Sequence, residues 1–201
     1  RCIVRARMNS LPIKASEVCW QATWPNIYLR CFSLKDESSF FANSMQLSKS
    51  DADTELIGAD ILRNCLKIFG SSTVITLEGP LGAGKTTLVR GMLRSLGYEG
   101  PVKSPTFTLL ESYVFADRSL KVFHFDLYRI LDELELEFIG LEEILDSDGI
   151  KLFEWPDRAS NFLMLPRIRI VLDIPKGPVS EQQKLGQERT ISACFLEETQ
   201  N

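Results

Sequence analysis

Between residues 79 and 87 the chain reads Gly79-Pro80-Leu81-Gly82-Ala83-Gly84-Lys85-Thr86-Thr87, a match to G-x-x-x-x-G-K-[ST] at every defined position. Glycines at these spacings let the backbone turn tightly and aim several N–H groups inward, and a helix that follows adds the positive end of its dipole. Such a loop cradles the phosphates of a nucleotide. A chain of this length meets the pattern by accident about one time in a hundred, and the context lowers that further. Thr73-Val74-Ile75-Thr76-Leu77 is a short β-branched run directly before the loop, and Leu88, Val89, Met92, Leu93 and Leu96 recur at helical spacing after it. Strand, glycine loop and helix follow in the order that phosphate binding requires. Lys85 is then the residue for the β and γ phosphates, and the hydroxyl of Thr86 the expected protein ligand of a Mg²⁺ ion that keeps most of its waters. ATP with Mg²⁺ is the expected ligand pair.

At 201 residues the chain can bury one core, so a single domain is expected over 51–196, with 1–50 an N-terminal extension and 197–201 a short tail. No apolar run approaches the roughly twenty residues of a membrane span. Cys2, Cys19, Cys31, Cys65 and Cys194 are odd in number, scattered and never spaced C-x-x-C, which argues against a disulfide framework or a zinc site and suits a reducing compartment. The formal net charge of −4 is unevenly spread. Residues 1–50 hold seven Lys or Arg against three acids, and the remainder holds sixteen against twenty-four. An acidic body has no broad attraction for nucleic acid, so any tie to RNA is expected to run through a partner. The first sixteen residues carry Arg1, Arg5, Arg7 and Lys14 and no acid, the composition of an organelle transit segment; a chloroplast or mitochondrial location follows if it is one, and a cytoplasmic location otherwise. The sequence opens on Arg1, and Met8 or Met45 could start a shorter form.

Ser50 before Leu56, Ile57, Ile61, Leu62, Cys65, Leu66 and Phe69, closed by Gly70, predicts a helix ahead of the loop strand. Gly97 and Gly100-Pro101 end the helix after the loop, and 102–110 is read as a loop passing into a strand. Strands are expected at 120–126 and 150–154, with one amphipathic helix over 132–146 whose apolar face is Leu134, Phe138, Leu141 and Leu145. Arg167 to Asp173 and Arg189 to Leu196 read as an antiparallel hairpin. The fold class is therefore α/β, a P-loop NTPase fold with a mostly parallel central sheet flanked by helices.

In an open α/β sheet the ligand sits beyond the carboxyl ends of the strands, so an acid closing an apolar strand points toward the phosphates. Two strands here end that way. Asp126 closes one and is a candidate for holding Mg²⁺ directly or through water; Glu154 closes the other and is a candidate for activating the attacking water or holding the metal. The sequence does not separate these roles. His124, the single histidine, is read as a satisfied buried side chain, and Trp155 either shapes the site or packs.

Taken together, the glycine loop, Ser104-Pro105-Thr106-Phe107-Thr108, His124-Phe125-Asp126-Leu127-Tyr128-Arg129, the Glu-rich segment with Phe138-Ile139-Gly140-Leu141, and Phe153-Glu154-Trp155-Pro156 resemble the TsaE (YjeE) family of small P-loop ATPases. The resemblance implies an accessory ATPase of tRNA threonylcarbamoyladenosine formation that acts on TsaD-like and TsaB-like proteins, meeting tRNA only through their complex. It implies Lys85, Asp126 and Glu154 as catalytic, Thr86, Asp126 and Glu154 around the metal, and the loop with Thr54, Thr106 and Trp155 around the nucleotide. Two positions depart from the family pattern. Pro80 stands where Asp is frequent, and a Gly-Arg near the C-terminal hairpin is replaced by Gly186-Gln187, with Arg189 displaced. Two other functions share the glycine loop: a small-molecule kinase, against which the absence of an arginine-rich lid speaks, and a nucleotide-gated binding module.

Overall fold

The computed structural model describes residues 44–163, 167–175 and 188–196. The transit reading of the first sixteen residues and the tail at 197–201 lie outside them. Helix α1 (Asp51–Phe69) starts where the sequence predicts: Ser50 is extended and its hydroxyl accepts from the Asp53 N–H at 3.1 Å, and Gly70 closes the helix at φ 75°. Strand β2 (Thr73–Glu78), the glycine loop and helix α2 (Lys85–Ser95) follow.

Seven strands form one sheet in the order β1-β7-β6-β2-β5-β4-β3. The four central strands are parallel: β6 (Arg167–Asp173), β2, β5 (Ile150–Glu154) and β4 (Leu120–Asp126). Antiparallel strands lie at both margins: β3 (Leu110–Phe115) pairs with β4, and β7 (Arg189–Leu196) carries β1 (Ser44–Ser48). Two margins differ from the sequence reading. β1 falls inside the stretch assigned to the N-terminal extension; its alternation of exposed Met45 and Leu47 with polar residues carries no apolar-inward signal. Residues 101–109 form no strand, and the strand expected to grow out of them occupies 110–115 instead.

Period-two alternation divides the core between the two faces of the sheet. Ile75, Leu77, Val122, Leu152, Ile168 and Ile170 face α1 and α2, packing against Ile61, Leu62, Leu88 and Met92. Phe125 and Phe153, stacked with ring centroids 4.5 Å apart, face the other way onto Leu136, Leu141 and Leu163. Each such fully buried side chain contributes about 1.5–3 kcal/mol. Helices α1 and α2 approach closely because Gly58 meets the Leu88 carbonyl and Gly91 meets the Glu55 backbone.

The single helix expected over 132–146 is two short helices, α3 (Leu134–Phe138) and α4 (Leu141–Asp146). Gly140 at φ 67° breaks the path, and the phase shifts with it. Leu136 and Leu141 go inward, whereas Leu134 and Phe138, expected on the apolar face, are exposed.

Candidate functional site

The carboxyl ends of β2, β5 and β4 bring the site together. Pairing sets Leu77 beside Glu154 and Glu154 beside Asp126, so the start of the glycine loop and the two acids form one row across three adjacent strands. Alternation then sends Asp126, Glu154 and His124 to the face that carries Val122 and Leu152, the face covered by α2. That is the side on which the loop delivers Lys85 and Thr86.

The loop takes the conformation its glycines allow. Gly79 lies at φ 143° with its α-carbon against the Leu172 carbonyl, where a Cβ would come within 2.3 Å of that oxygen; Gly84 lies at φ 94° beneath the Arg189 guanidinium. Leu88 N–H donates to the Gly84 carbonyl at 2.9 Å, closing the first turn of α2. Pro80, Leu81 and Gly82 form the exposed outer bend and Ala83 is buried beneath it. Pro80 accepts at its carbonyl and supplies no carboxylate to this rim.

Lys85 is buried, and its amine donates to the carbonyls of Gly79 at 2.7 Å and Pro80 at 3.0 Å while lying 3.9 Å from the centre of the Trp155 indole. Burial pushes its pKa down, and the negative charges of Glu154 and Asp126 offset part of that shift. The Thr86 hydroxyl donates to Oε1 of Glu154 at 2.8 Å, and the same oxygen lies 3.0 Å from Nε2 of His124. His124 is fully buried, as expected of it, yet it packs directly behind a candidate acid. Its Nδ1 has no hydrogen-bond partner among the described residues.

Asp126 is held from three directions. Thr106 donates its hydroxyl to Oδ2 at 2.7 Å, Ser104 donates to the same oxygen, and the Tyr128 N–H donates to Oδ1 at 3.0 Å. Thr106 therefore joins the acid through a direct contact. Ser104 was not among the expected site residues, although its hydroxyl two positions before Thr106 was visible in the same motif. Trp155 has a left-handed backbone, φ 60° and ψ 53°, immediately before Pro156, where an extended conformation is the norm. Such a geometry costs on the order of 1–3 kcal/mol and gathers at functional sites. The Trp155 N–H donates to the Leu77 carbonyl at 3.3 Å, and the Tyr128 ring lies 4.9 Å from the Trp155 ring, so the indole is fixed over the lysine.

Thr54 and Thr87 stand apart from this row. Thr54 is fully buried, and its hydroxyl contacts Ser48 at 2.7 Å and donates to the Ser50 carbonyl at 3.0 Å, fastening α1 to β1. Thr87 is half-buried in the first turn of α2. Arg189 contributes what sequence reading left open: from the start of β7 it reaches Gly84 and pairs with Asp51 at 3.2 Å, linking the hairpin, α1 and the loop.

The donor set suits Mg²⁺. No group of three or more His, Cys, Asp or Glu residues able to cage a metal occurs among the described residues. One hydroxyl with one or two carboxylates, Thr86 with Glu154 and Asp126, is the sparse protein contribution that Mg²⁺ accepts when waters and phosphates supply the rest.

The family model described as threonylcarbamoyl adenosine biosynthesis protein TsaE matches residues 48–184. The tRNA threonylcarbamoyladenosine biosynthesis protein TsaE of Haemophilus influenzae is 46% identical over 101 residues, covering 50% of this chain and 61% of the relative. Its Bacillus subtilis counterpart is 42% identical over 99 residues, covering 49% and 60%. The matched part of the chain thus spans about three fifths of the length of these relatives. The crystal structure of Bacillus subtilis YdiB superposes with a TM-score of 0.57 at 28% identity, over 78% of this chain and 86% of that one. With the family match extending from β1 across the glycine loop and both acids, this chain belongs to the TsaE family.

Proposed function

We propose that the chain is a Mg²⁺-dependent ATPase that serves tRNA N6-threonylcarbamoyladenosine formation by acting on a TsaD- and TsaB-type complex. The observation that carries this reading is the contact between Thr86 and Glu154, which joins the hydroxyl at the head of α2 to an acid at the end of β5. The family description and the printed names of the relatives supply the modification pathway.

In this reading backbone N–H groups of the 79–87 loop, Pro80 excepted, bind the phosphates, and Lys85 turns its amine from the Gly79 and Pro80 carbonyls to the β and γ oxygens. Glu154 orients and deprotonates the attacking water, with His124 and Thr86 fixing its carboxylate. Asp126, held by Ser104, Thr106 and the Tyr128 N–H, would hold a Mg²⁺ ion directly or through water, which would tie the 104–109 segment to the nucleotide. A bound Mg²⁺ ion supplies charge neutralisation for the phosphoryl oxygens. Trp155 covers the lysine and excludes water, and Thr54 supports the site from beneath the α1 cap. The acid-poor first sixteen residues support import into an organelle, which a fluorescent fusion of residues 1–50 would locate.

The test is direct. Purified protein should bind ATP with Mg²⁺ and hydrolyse it slowly alone and faster with the TsaD–TsaB pair. Lys85→Ala should abolish binding or turnover, and Glu154→Ala should lower hydrolysis. Unchanged hydrolysis in both variants rejects the site assignment. Stoichiometric phosphorylation of a metabolite without a protein partner would favour a kinase instead.

A further inference from the structure

The surface beside the site is apolar where a solvent-facing surface is ordinarily polar. Phe138 is 90% exposed, Leu131 87%, Phe107 83% and Leu134 58%. They form a run: Arg129 stacks over the Phe107 ring at 3.9 Å, Leu131 follows two residues later with its N–H capped by Glu135, and Leu134 and Phe138 lie four apart on α3. Large side chains gathered like this lose free energy to water and mark an interaction site. Apart from Arg129 on the Phe107 ring, the segment that carries the ridge is acidic. From 130 to 146 there are seven acids, Asp132, Glu133, Glu135, Glu137, Glu142, Glu143 and Asp146, and no Lys or Arg.

We propose that the ridge formed by Phe107, Leu131, Leu134 and Phe138 is the docking surface for a protein partner that presents lysine and arginine around apolar pockets. The charge selects the class of partner. RNA and an anionic lipid surface present phosphates, which the seven acids repel. A second copy docked face to face would set acid against acid. A basic protein surface satisfies both the apolar side chains and their acidic rim. The ridge is continuous with the site, because Phe107 follows Thr106, whose hydroxyl is bound to Asp126. The assignment rests on the proposed function, in which a protein complex is the target.

The experiment titrates the full chain with Mg²⁺ and ATP against the purified TsaD–TsaB pair. Leu131→Ser with Phe138→Ser should weaken binding by about tenfold or more, as loss of central apolar anchors does. Glu137→Lys with Glu142→Lys should weaken it and flatten its dependence on salt. None of these four residues belongs to the nucleotide site, so ATP affinity should stay within about twofold of the wild type. Wild-type binding that both variants leave intact overturns the surface while sparing the proposed function. Failure of the wild type to bind the pair overturns the functional reading and this assignment with it. A photo-crosslinking p-benzoylphenylalanine at position 138 should label the pair; labelling only residues 1–43 of the same chain, or a second copy, overturns the proposal.

Discussion

Thr86 and Glu154 are 68 positions apart in sequence and share a 2.8 Å hydrogen bond. The contact exists because β2 and β5 are neighbours in register, so the strand that launches the loop and the strand that ends in the acid stop at the same level. A glutamine at position 154 keeps the shape and can still accept from Thr86, but it takes no proton from water. Glu154→Gln should therefore lower the single-turnover hydrolysis rate by about two orders of magnitude or more, while ATP affinity changes less than about tenfold. A parallel loss of affinity and rate would assign Glu154 to binding instead.

Asp126 offers a sharper test, because its Oδ2 accepts from two hydroxyls on one segment. Thr106→Val preserves the outline of the side chain and removes a donor to a carboxylate, a contact worth about 1.5–3 kcal/mol. ATP turnover should fall about tenfold or more, and Thr106→Ser should restore it to within about twofold. Turnover left intact in Thr106→Val and lost only in Thr106→Ser would show that the methyl group matters and the hydroxyl does not.

These two contacts also mark how far the sequence could be read. The loop, its strand and its helix were legible because glycine spacing and apolar periodicity are local signals, and α1 was legible from the Ser50 cap and Gly70. The convergence of Asp126 and Glu154 followed from a rule about strand ends and needed no pairing information. What stayed hidden depends on distant partners. Strand β1 is an edge that pairs with β7 and meets α1 through Ser48 and Thr54; its inward residue Ser48 is polar and its apolar Met45 and Leu47 are exposed, so it carries no apolar-inward pattern. In 132–146 a helical period of Leu134, Phe138 and Leu141 fitted one continuous helix. Gly140 interrupts it, and the side chains left outside belong to a surface rather than to the core. Arg189 meets Gly84 only because the hairpin folds back over the loop.

Two buried lysines give the protein a pH signature. Burial lowers the pKa of Lys85, offset in part by Glu154 and Asp126, and lowers that of Lys151, offset in part by Asp148 and Asp146. In each case the unfolded chain binds more protons than the folded one between the lowered folded value and the ordinary 10.5. Stability is therefore penalised below that window and recovers as pH rises through it. Lys151 lies outside the nucleotide site, so Lys151→Met isolates the effect. Denaturant unfolding should show the wild type gaining on the variant as pH is raised toward 10.5. A difference that is flat, or that moves the other way, contradicts the assignment.

The crossing of α1 and α2 sets the position of the loop, since α2 begins at Lys85 itself. Gly91 lies in the interior of α2, where alanine would ordinarily be favoured by about 1 kcal/mol. A Cβ at that position would come within 2.0 Å of the Glu55 carbonyl oxygen and 2.5 Å of its α-carbon. Both are backbone atoms of a nineteen-residue helix that is itself packed on the sheet, so neither can yield like the end of a flexible side chain. The clash therefore outweighs the propensity gain. Gly91→Ala should destabilise the protein by about 1–3 kcal/mol, the usual cost of overpacking. Thermal unfolding of the two proteins measures it, and a melting temperature raised by the substitution would mean that α1 moves freely against α2. Because displacing α2 carries Thr86 away from Glu154, the same variant should lose hydrolysis even at temperatures where it is fully folded.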